Sequence, residues 1–177
     1  MAVVDERYGE ALLELAVESG QLSDYLDEAV VLKGVLLENP ELTGLFVNPK
    51  ITLEEKIDVV EKCFEGRFTS DICGMIKLVI TNGRAGELEK ILDWFVLAAK
   101  EKLGIGIVYV KSADELNDMT KKALENKMLQ TTGYKKLEMH YSVEKELIGG
   151  LQVRLGDRII DNTIRTRLDL LTKELRG

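Results

Sequence analysis

Few residues of this chain have types and spacing that could do chemistry. His140 is the only histidine, set between Met139 and Tyr141 in a run that alternates like a strand. A zinc site needs three or four Cys, His or carboxylate ligands at workable spacing, and none accompanies it. No Ser-His or Cys-His pair stands out that would activate a nucleophile. Cys63 and Cys73 lie ten residues apart, each in an apolar helical pattern. That reads as two buried free thiols, not a disulfide or a metal pair. Gly104-Ile105-Gly106 has the look of a nucleotide loop, but it follows a helix and precedes a strand. Pyrophosphate binding needs the opposite order, a strand running through glycines into a helix N-terminus. The chain has 31 carboxylates, yet nothing in the sequence pairs two of them in a cleft. No catalytic residue, metal ligand or cofactor is expected.

The elements that would position any site begin with the totals. The chain has 177 residues, 45% hydrophobic and 31% charged, an ordinary globular composition long enough for one good-sized domain or two small ones. No apolar run approaches the eighteen or so residues that cross a bilayer, so no direct membrane insertion is expected. The start, MAVVDERYGE, has neither the basic patch nor the apolar stretch of a secretory signal or transit peptide. A bacterial protein kept in the cytoplasm is the expectation. The net charge of −7 divides into −9 over residues 1–105 and +2 over 106–177. Two domains with different partners would account for that split, as would drift. Nucleic acid is a poor partner, because the acidic front half repels phosphate and no basic stripe interleaves with aromatics.

Helices are expected at 5–19, 22–38, 41–47, 53–64, 69–81 and 85–103. Their punctuation is local: Gly20 past the first, Asn39 as a cap before Pro40, a capping box at Thr52–Glu55, and Asn82-Gly83 after the fifth. After Gly104 the period changes. IGIVYVKS (105–112) alternates as a strand. Ser112-Ala113-Asp114-Glu115 reads as a second capping box opening a helix over 114–131. Strands follow at 136–143, 151–155 and 158–160, with a last helix at 163–175. The fold class is therefore two-domain and mostly α: a six-helix bundle over 1–104, then a small α+β domain over 105–177.

The stretch LIGGLQVRLGDRIIDNTIRTRL (147–168) is the most conspicuous in the chain, and each feature has a structural task. Gly149-Gly150 permits positive φ or close approach. Leu151, Val153 and Leu155 take one face of a strand, Gln152 and Arg154 the other. Gly156-Asp157 fits a two-residue hairpin turn, and Asp161 can cap the last helix. Two helices say more about function. The apolar residues of 5–19 span an arc of roughly 240°, those of 69–81 roughly 220°, where a surface helix needs little over 100°. Either both helices are central in the bundle, or together they line a groove that receives an apolar helix from another protein.

The ordered landmarks resemble the delta-subunit family of the rotary ATP synthase, the oligomycin-sensitivity-conferring proteins, over nearly the whole chain. They are Arg7-Tyr8 with Ala11-Leu12, Asn48-Pro49 followed by Lys56, Asn82-Gly83-Arg84, Ser112-Ala113, and the IGG, GD and I-D-x-[S/T]-I-x-x-x-L pattern of 148–168. The family often has alanine where this chain has Gly9 and serine where it has Thr163. On helix propensity alone Gly9 costs about 1 kcal/mol relative to Ala.

The resemblance implies a non-catalytic stator subunit, one copy per complex, peripheral at the cytoplasmic face of the cell membrane. It implies a first domain that holds N-terminal segments of the alpha subunits of the catalytic head, with the beta subunits as further candidates, between its first and fifth helices. Matched to this sequence, the groove residues are Tyr8, Ala11, Leu12, Leu15, Met75, Ile76, Val79 and Arg84. Asp in place of Leu12 or Val79 is expected to weaken binding without unfolding the chain. It implies a second domain that binds the b subunits of the peripheral stalk, with Leu147, Leu151 and Val153 as candidates. An unrelated adaptor or assembly factor gripping amphipathic helices is the alternative reading, and an enzyme whose residues converge only in the fold is a third.

Overall fold

A computed structural model describes the backbone over residues 2–161 and side chains from residue 6 onward. The expected last helix, 163–175, and the capping role given to Asp161 lie outside those residues. The chain divides into two compact units, Met1–Leu103 and Gly104–Gly177: a helical part and a small α+β part.

The first unit runs α1 (Ala2–Glu18), α2 (Leu22–Glu38), α3 (Pro40–Val47), α4 (Leu53–Phe64), α5 (Ser70–Thr81), a 3-10 turn (Ala85–Glu87) and α6 (Leu88–Leu103). Local signals place most boundaries. Thr52 Oγ1 accepts from the Glu55 N–H, and the Glu55 carboxylate accepts from the Thr52 N–H, the reciprocal capping box. Gly83 takes φ +70 after α5. Its N–H bonds Ile80 O and that of Arg84 bonds Val79 O, both at 2.9 Å, so α5 ends in a Schellman motif that needs a left-handed residue there. Asn39 departs from expectation. Its side chain caps nothing on α3; Nδ2 donates to Val35 O at 2.8 Å and closes the end of α2 instead. The backbone of Asn39, at φ −125 and ψ 70, lies outside the extended region in which an N-cap side chain reaches forward.

The core of this unit is made by the inward faces of all these helices. α6 packs on α1 and α2, and α5 packs on α4 and α1. Leu88, Ile91, Leu92, Phe95 and Ala99 of α6 are wholly buried, as are Ala29 and Leu32 of α2 and Ile72 and Val79 of α5. Polar contacts fix the register between helices. Tyr25 Oη of α2 donates to Asp71 Oδ2 at the start of α5, and Glu28 Oε2 accepts from the Thr69 N–H at 2.7 Å. Lys77 reaches back from α5 to Glu61 and Glu65 at 2.7 and 3.0 Å. That clamp is solvent-exposed on the acid side and contributes little.

Gly9 has a packing reason that helix propensity does not reveal. A Cβ built there would lie 2.4 Å from Cε3 of Trp94 on α6. The glycine lets α1 approach the indole face.

The second unit runs β1 (Ile105–Ser112), α7 (Asp118–Thr132), β2 (Lys136–Val143), a 3-10 turn (Lys145–Leu147), β3 (Leu151–Leu155) and β4 (Arg158–Asp161). The sheet order is β2-β1-β3-β4. β1 and β2 are parallel, joined through α7, while β3 lies antiparallel to both β1 and β4. Val108, Val110, Leu137, Val153 and Met128 of α7 make its core. Gly156, at φ +55, turns β3 into β4 as expected. Positive φ in the IGG stretch falls on Gly150 and also on Ile148, at +64, an outlier for a β-branched residue.

The second expected capping box is corrected. α7 begins at Asp118, capped by Asn117 Oδ1, which accepts from the Thr120 N–H at 2.8 Å. Ser112 cannot open a helix because the ladder holds it on both sides, opposite Val143 and Leu151. Its hydroxyl donates to Asp114 O at 2.7 Å instead.

Two predictions follow from this packing. Gly9→Ala should destabilise the helical unit by about 1 kcal/mol or more, because overpacking at 1–3 kcal/mol exceeds the propensity gain. In a Trp94→Leu background the same change should be neutral or stabilising. Urea unfolding read by circular dichroism on the four-member cycle checks the sign reversal. Tyr25 gives the second. Its hydrogen bond to Asp71, then burial, then the Asp71 charge raise its phenol above the usual 10.0. The unfolded tyrosine ionises near its ordinary value of about 10, so the contribution of neutral Tyr25 is complete below that pH. It is lost as pH rises through the higher folded value. Tyr25→Phe should flatten that part of the alkaline loss in unfolding curves followed by Trp94 fluorescence.

Candidate functional site

The apolar arcs of α1 and α5 are resolved mainly as core. Leu12 is 1% exposed and Val79 0%, and Met75 and Ile76 are buried with them. These four face inward, so the expectation that Leu12 or Val79 could become Asp in a folded chain is corrected. Burying an unpaired carboxylate costs far more than such a unit can absorb. What the core leaves outside is a narrower strip. Leu15 is 45% exposed and Leu78 52%; Ala11 is exposed and Tyr8 half-buried.

That strip lies along one seam. Asn82 Nδ2 at the end of α5 donates to Tyr8 Oη near the start of α1 at 3.0 Å, so the two helices meet there. Ala11 and Leu15 follow Tyr8 at three and seven residues, on the same side of α1. Leu78 precedes Asn82 by four, on the same side of α5. Leu12, Met75 and Val79 of the same two helices are buried. The strip is apolar and borders the buried faces of both helices. Arg84 stands at its end, placed by the Schellman motif, with Nη1 3.4 Å from Glu87 Oε2. The spacing argument missed Leu78 and Asn82 as site residues. Leu78 belonged to the apolar arc, and Asn82 was read only as part of a turn.

The second-unit candidates are also drawn into packing. Leu147 and Val153 are buried and Leu151 is half-buried, with Val153 in the core cluster and Leu151 packed against it. Gly104-Ile105-Gly106 is structural. Gly104 O accepts from the Lys135 N–H at 2.8 Å, and a Cβ on Gly106 would lie 2.9 Å from both Tyr134 and Leu137.

The reactive groups are likewise occupied or isolated. Cys63 is half-buried and Cys73 buried, both free thiols, and burial raises the Cys73 thiol further from its reactive form. His140 stacks on Tyr109 and lies 3.0 Å from Glu138 Oε1. Among the described residues no group of three or more Cys, His, Asp or Glu could hold a metal. No helix among them is long and apolar enough to cross a membrane.

A mostly helical two-part chain whose candidate site is a helix-lined apolar strip has the build of a protein that binds another protein's helix. Comparison with known proteins gives the family. The family model described as ATP synthase delta (OSCP) subunit matches residues 4–175, and the chain belongs to that family. An ATP synthase subunit delta from Lachnoclostridium phytofermentans is 39% identical over 173 residues, covering 98% of this chain and 95% of the relative. One from Halalkalibacterium halodurans is 31% identical over 172 residues, covering 97% and 94%. A chain in a cryo-EM structure of the Toxoplasma gondii mitochondrial ATP synthase hexamer shares the fold, with TM-score 0.75, 17% identity and 98% of each chain covered. As a member of this family the chain is a non-catalytic, structural subunit of a complex that makes ATP and transports ions.

The burial pattern separates two classes of substitution. Leu12→Asp and Val79→Asp should each abolish the cooperative unfolding of the helical unit, a cost of roughly 3 kcal/mol or more for an unpaired buried carboxylate. Leu15→Asp and Leu78→Asp should shift stability by about 0.5 kcal/mol or less. Thermal unfolding followed by Trp94 fluorescence discriminates them.

Proposed function

We propose that this subunit is the stator joint of its ATP synthase. The helical unit, acting as a six-helix bundle, sits on the catalytic head and seats an N-terminal helix of an alpha subunit in the α1–α5 strip, with beta subunits beside it. The second unit holds the b subunits of the peripheral stalk. One copy serves each complex, peripheral at the cytoplasmic face of the cell membrane. The task is mechanical: the head is kept from turning with the rotor, so that ion-driven rotation is converted into ATP synthesis.

The observation that supports this reading is the exposed apolar strip of Ala11, Leu15 and Leu78 on two helices that each bury one face in the core. A stator joint needs slow dissociation under torque. Apolar burial on a rigid floor supplies that, and attachment at two units multiplies it through effective concentration. Of the eight groove candidates, Tyr8, Ala11, Leu15 and Arg84, which are not buried, would be the ones to touch a partner directly. Leu12, Met75, Ile76 and Val79 shape the floor from below.

Reconstitution tests the proposal. Inverted membrane vesicles stripped of their heads are mixed with heads lacking this subunit, with and without the purified protein. Rebinding of heads and ATP-driven ion pumping should both require it. Leu15→Asp and Leu78→Asp, which stay folded, should weaken head binding by about tenfold or more, as removal of a central interface anchor does. Heads that rebind and pump equally well without the protein would sink the stator reading and leave the helix-gripping adaptor in its place.

A further inference from the structure

α5 shows solvent an unusual pair of residues. Between Asp71 and Ile80 only Gly74 and Leu78 are exposed, one turn apart on the same side of the helix. The outward face of a surface helix is ordinarily charged or polar. Here the two charged residues within three positions of Gly74 are turned elsewhere. Lys77 reaches to Glu61 and Glu65, and the Asp71 carboxylate accepts from Tyr25. One turn beyond Leu78, the exposed Thr81 spends its hydroxyl on Lys77 O at 2.8 Å, within the helix.

Gly74 has no such internal task. Glycine in a helix interior is less favourable than alanine, because it gives up more backbone freedom on folding. Gly9 offsets that cost by admitting the Trp94 ring. At Gly74 an added Cβ would meet nothing within 4 Å, and the backbone does not take the positive φ that calls for glycine. Gly34 of α2 and Gly44 of α3 are open in the same way, but they belong to neither of the two helices that meet at Tyr8 and Asn82. What glycine does supply on an exposed side is a gap one side chain deep, here beside Leu78. Helices approach each other as closely as the side chains at their contact allow.

We propose that Gly74 is the point at which the docked alpha-subunit helix crosses α5, with an apolar side chain of that helix filling the gap over the bare backbone beside Leu78. The proposal rests on the seating of an alpha-subunit helix in the α1–α5 strip put forward above. It assigns a positioning role to a residue that weakens the free helix: the stability given up in the free subunit is recovered as close packing in the complex. Leu78 at the edge of the gap, and the engagement of Lys77 and Asp71 by other residues, select an apolar side chain over a charged one.

The test titrates the full-length protein with a synthetic peptide of the alpha subunit's N-terminal segment from the same organism, beside thermal unfolding of each variant. Wild type should bind. Gly74→Ala should raise the unfolding temperature and yet weaken binding, opposite signs that a merely structural glycine would not give. Gly74→Leu should weaken binding by about tenfold or more, a change of the size seen at interface anchors, without lowering the unfolding temperature. Gly74→Gln repeats the test should the leucine disturb the fold. Gly44→Leu, at an equally open helix glycine outside the strip, should leave binding unaltered. Alanine in place of one large apolar residue of the peptide should weaken binding to wild type and restore part of the affinity for Gly74→Leu. If the peptide binds wild type and Gly74→Leu equally while Leu15→Asp and Leu78→Asp weaken it, the proposal is overturned and the strip stands. If Gly74→Leu and Gly44→Leu weaken binding alike, the loss is not specific to Gly74, which overturns the proposal as well. If the peptide does not bind wild type, the seating of an alpha-subunit helix fails and this proposal with it.

Discussion

The packing of α6 against α1 and α2 is the contact on which the rest of the helical unit depends. Leu88, Ile91, Leu92, Phe95 and Ala99 make one continuous buried face, and Trp94 presses its ring against the bare backbone of Gly9. That contact fixes how α1 lies. Only then does the outer edge of α1, with Tyr8, Ala11 and Leu15, come to lie beside α5, where Asn82 reaches Tyr8. An error of one residue in the α1–α6 register would rotate α1 by about 100° and change which of its residues are buried. The candidate groove is in this sense a consequence of a tryptophan on a third helix.

A site of this kind asks little of chemistry and much of stiffness. Its floor is core, so moving the floor means moving Leu12, Met75 and Val79 out of close-packed surroundings. Its rim is apolar and partly hydrated, so a partner helix gains by displacing water from it. Rigid elements hold a binding surface more firmly than loops do, and a joint under torque profits from that directly. The second unit follows the same logic with different means. Met128 of α7 packs on Val108, Val110, Leu137 and Val153 of the sheet.

The two misread caps show where local reasoning ends. Thr52 was legible because its partner, Glu55, lies three residues on and both belong to the same turn. Asn39 and Ser112 carry equally good capping chemistry, but their backbones were already committed. Asn39 closes the helix behind it, and Ser112 is locked in the sheet between strands that come later in the chain. Gly9 is the sharper case. Read along the helix it is a defect relative to alanine; read across to Trp94, 85 residues away, it is a condition for close packing.

The sequence by itself determined most of the described helices and strands to within a few residues, the change from helical to strand periodicity near Gly104, the lack of a recognisable catalytic motif and the family resemblance. All of these depend on residue type and on spacings of a few positions, which the local backbone enforces. It also marked α1 and α5 as unusually apolar helices. Which part of each apolar arc is core and which part is surface was decided only by the tertiary structure, because burial is a property of neighbours brought together from distant parts of the chain. Leu12 and Leu15 look alike in the sequence. One is buried and the other is about half exposed, and only the packing of α1 against its neighbouring helices separates them.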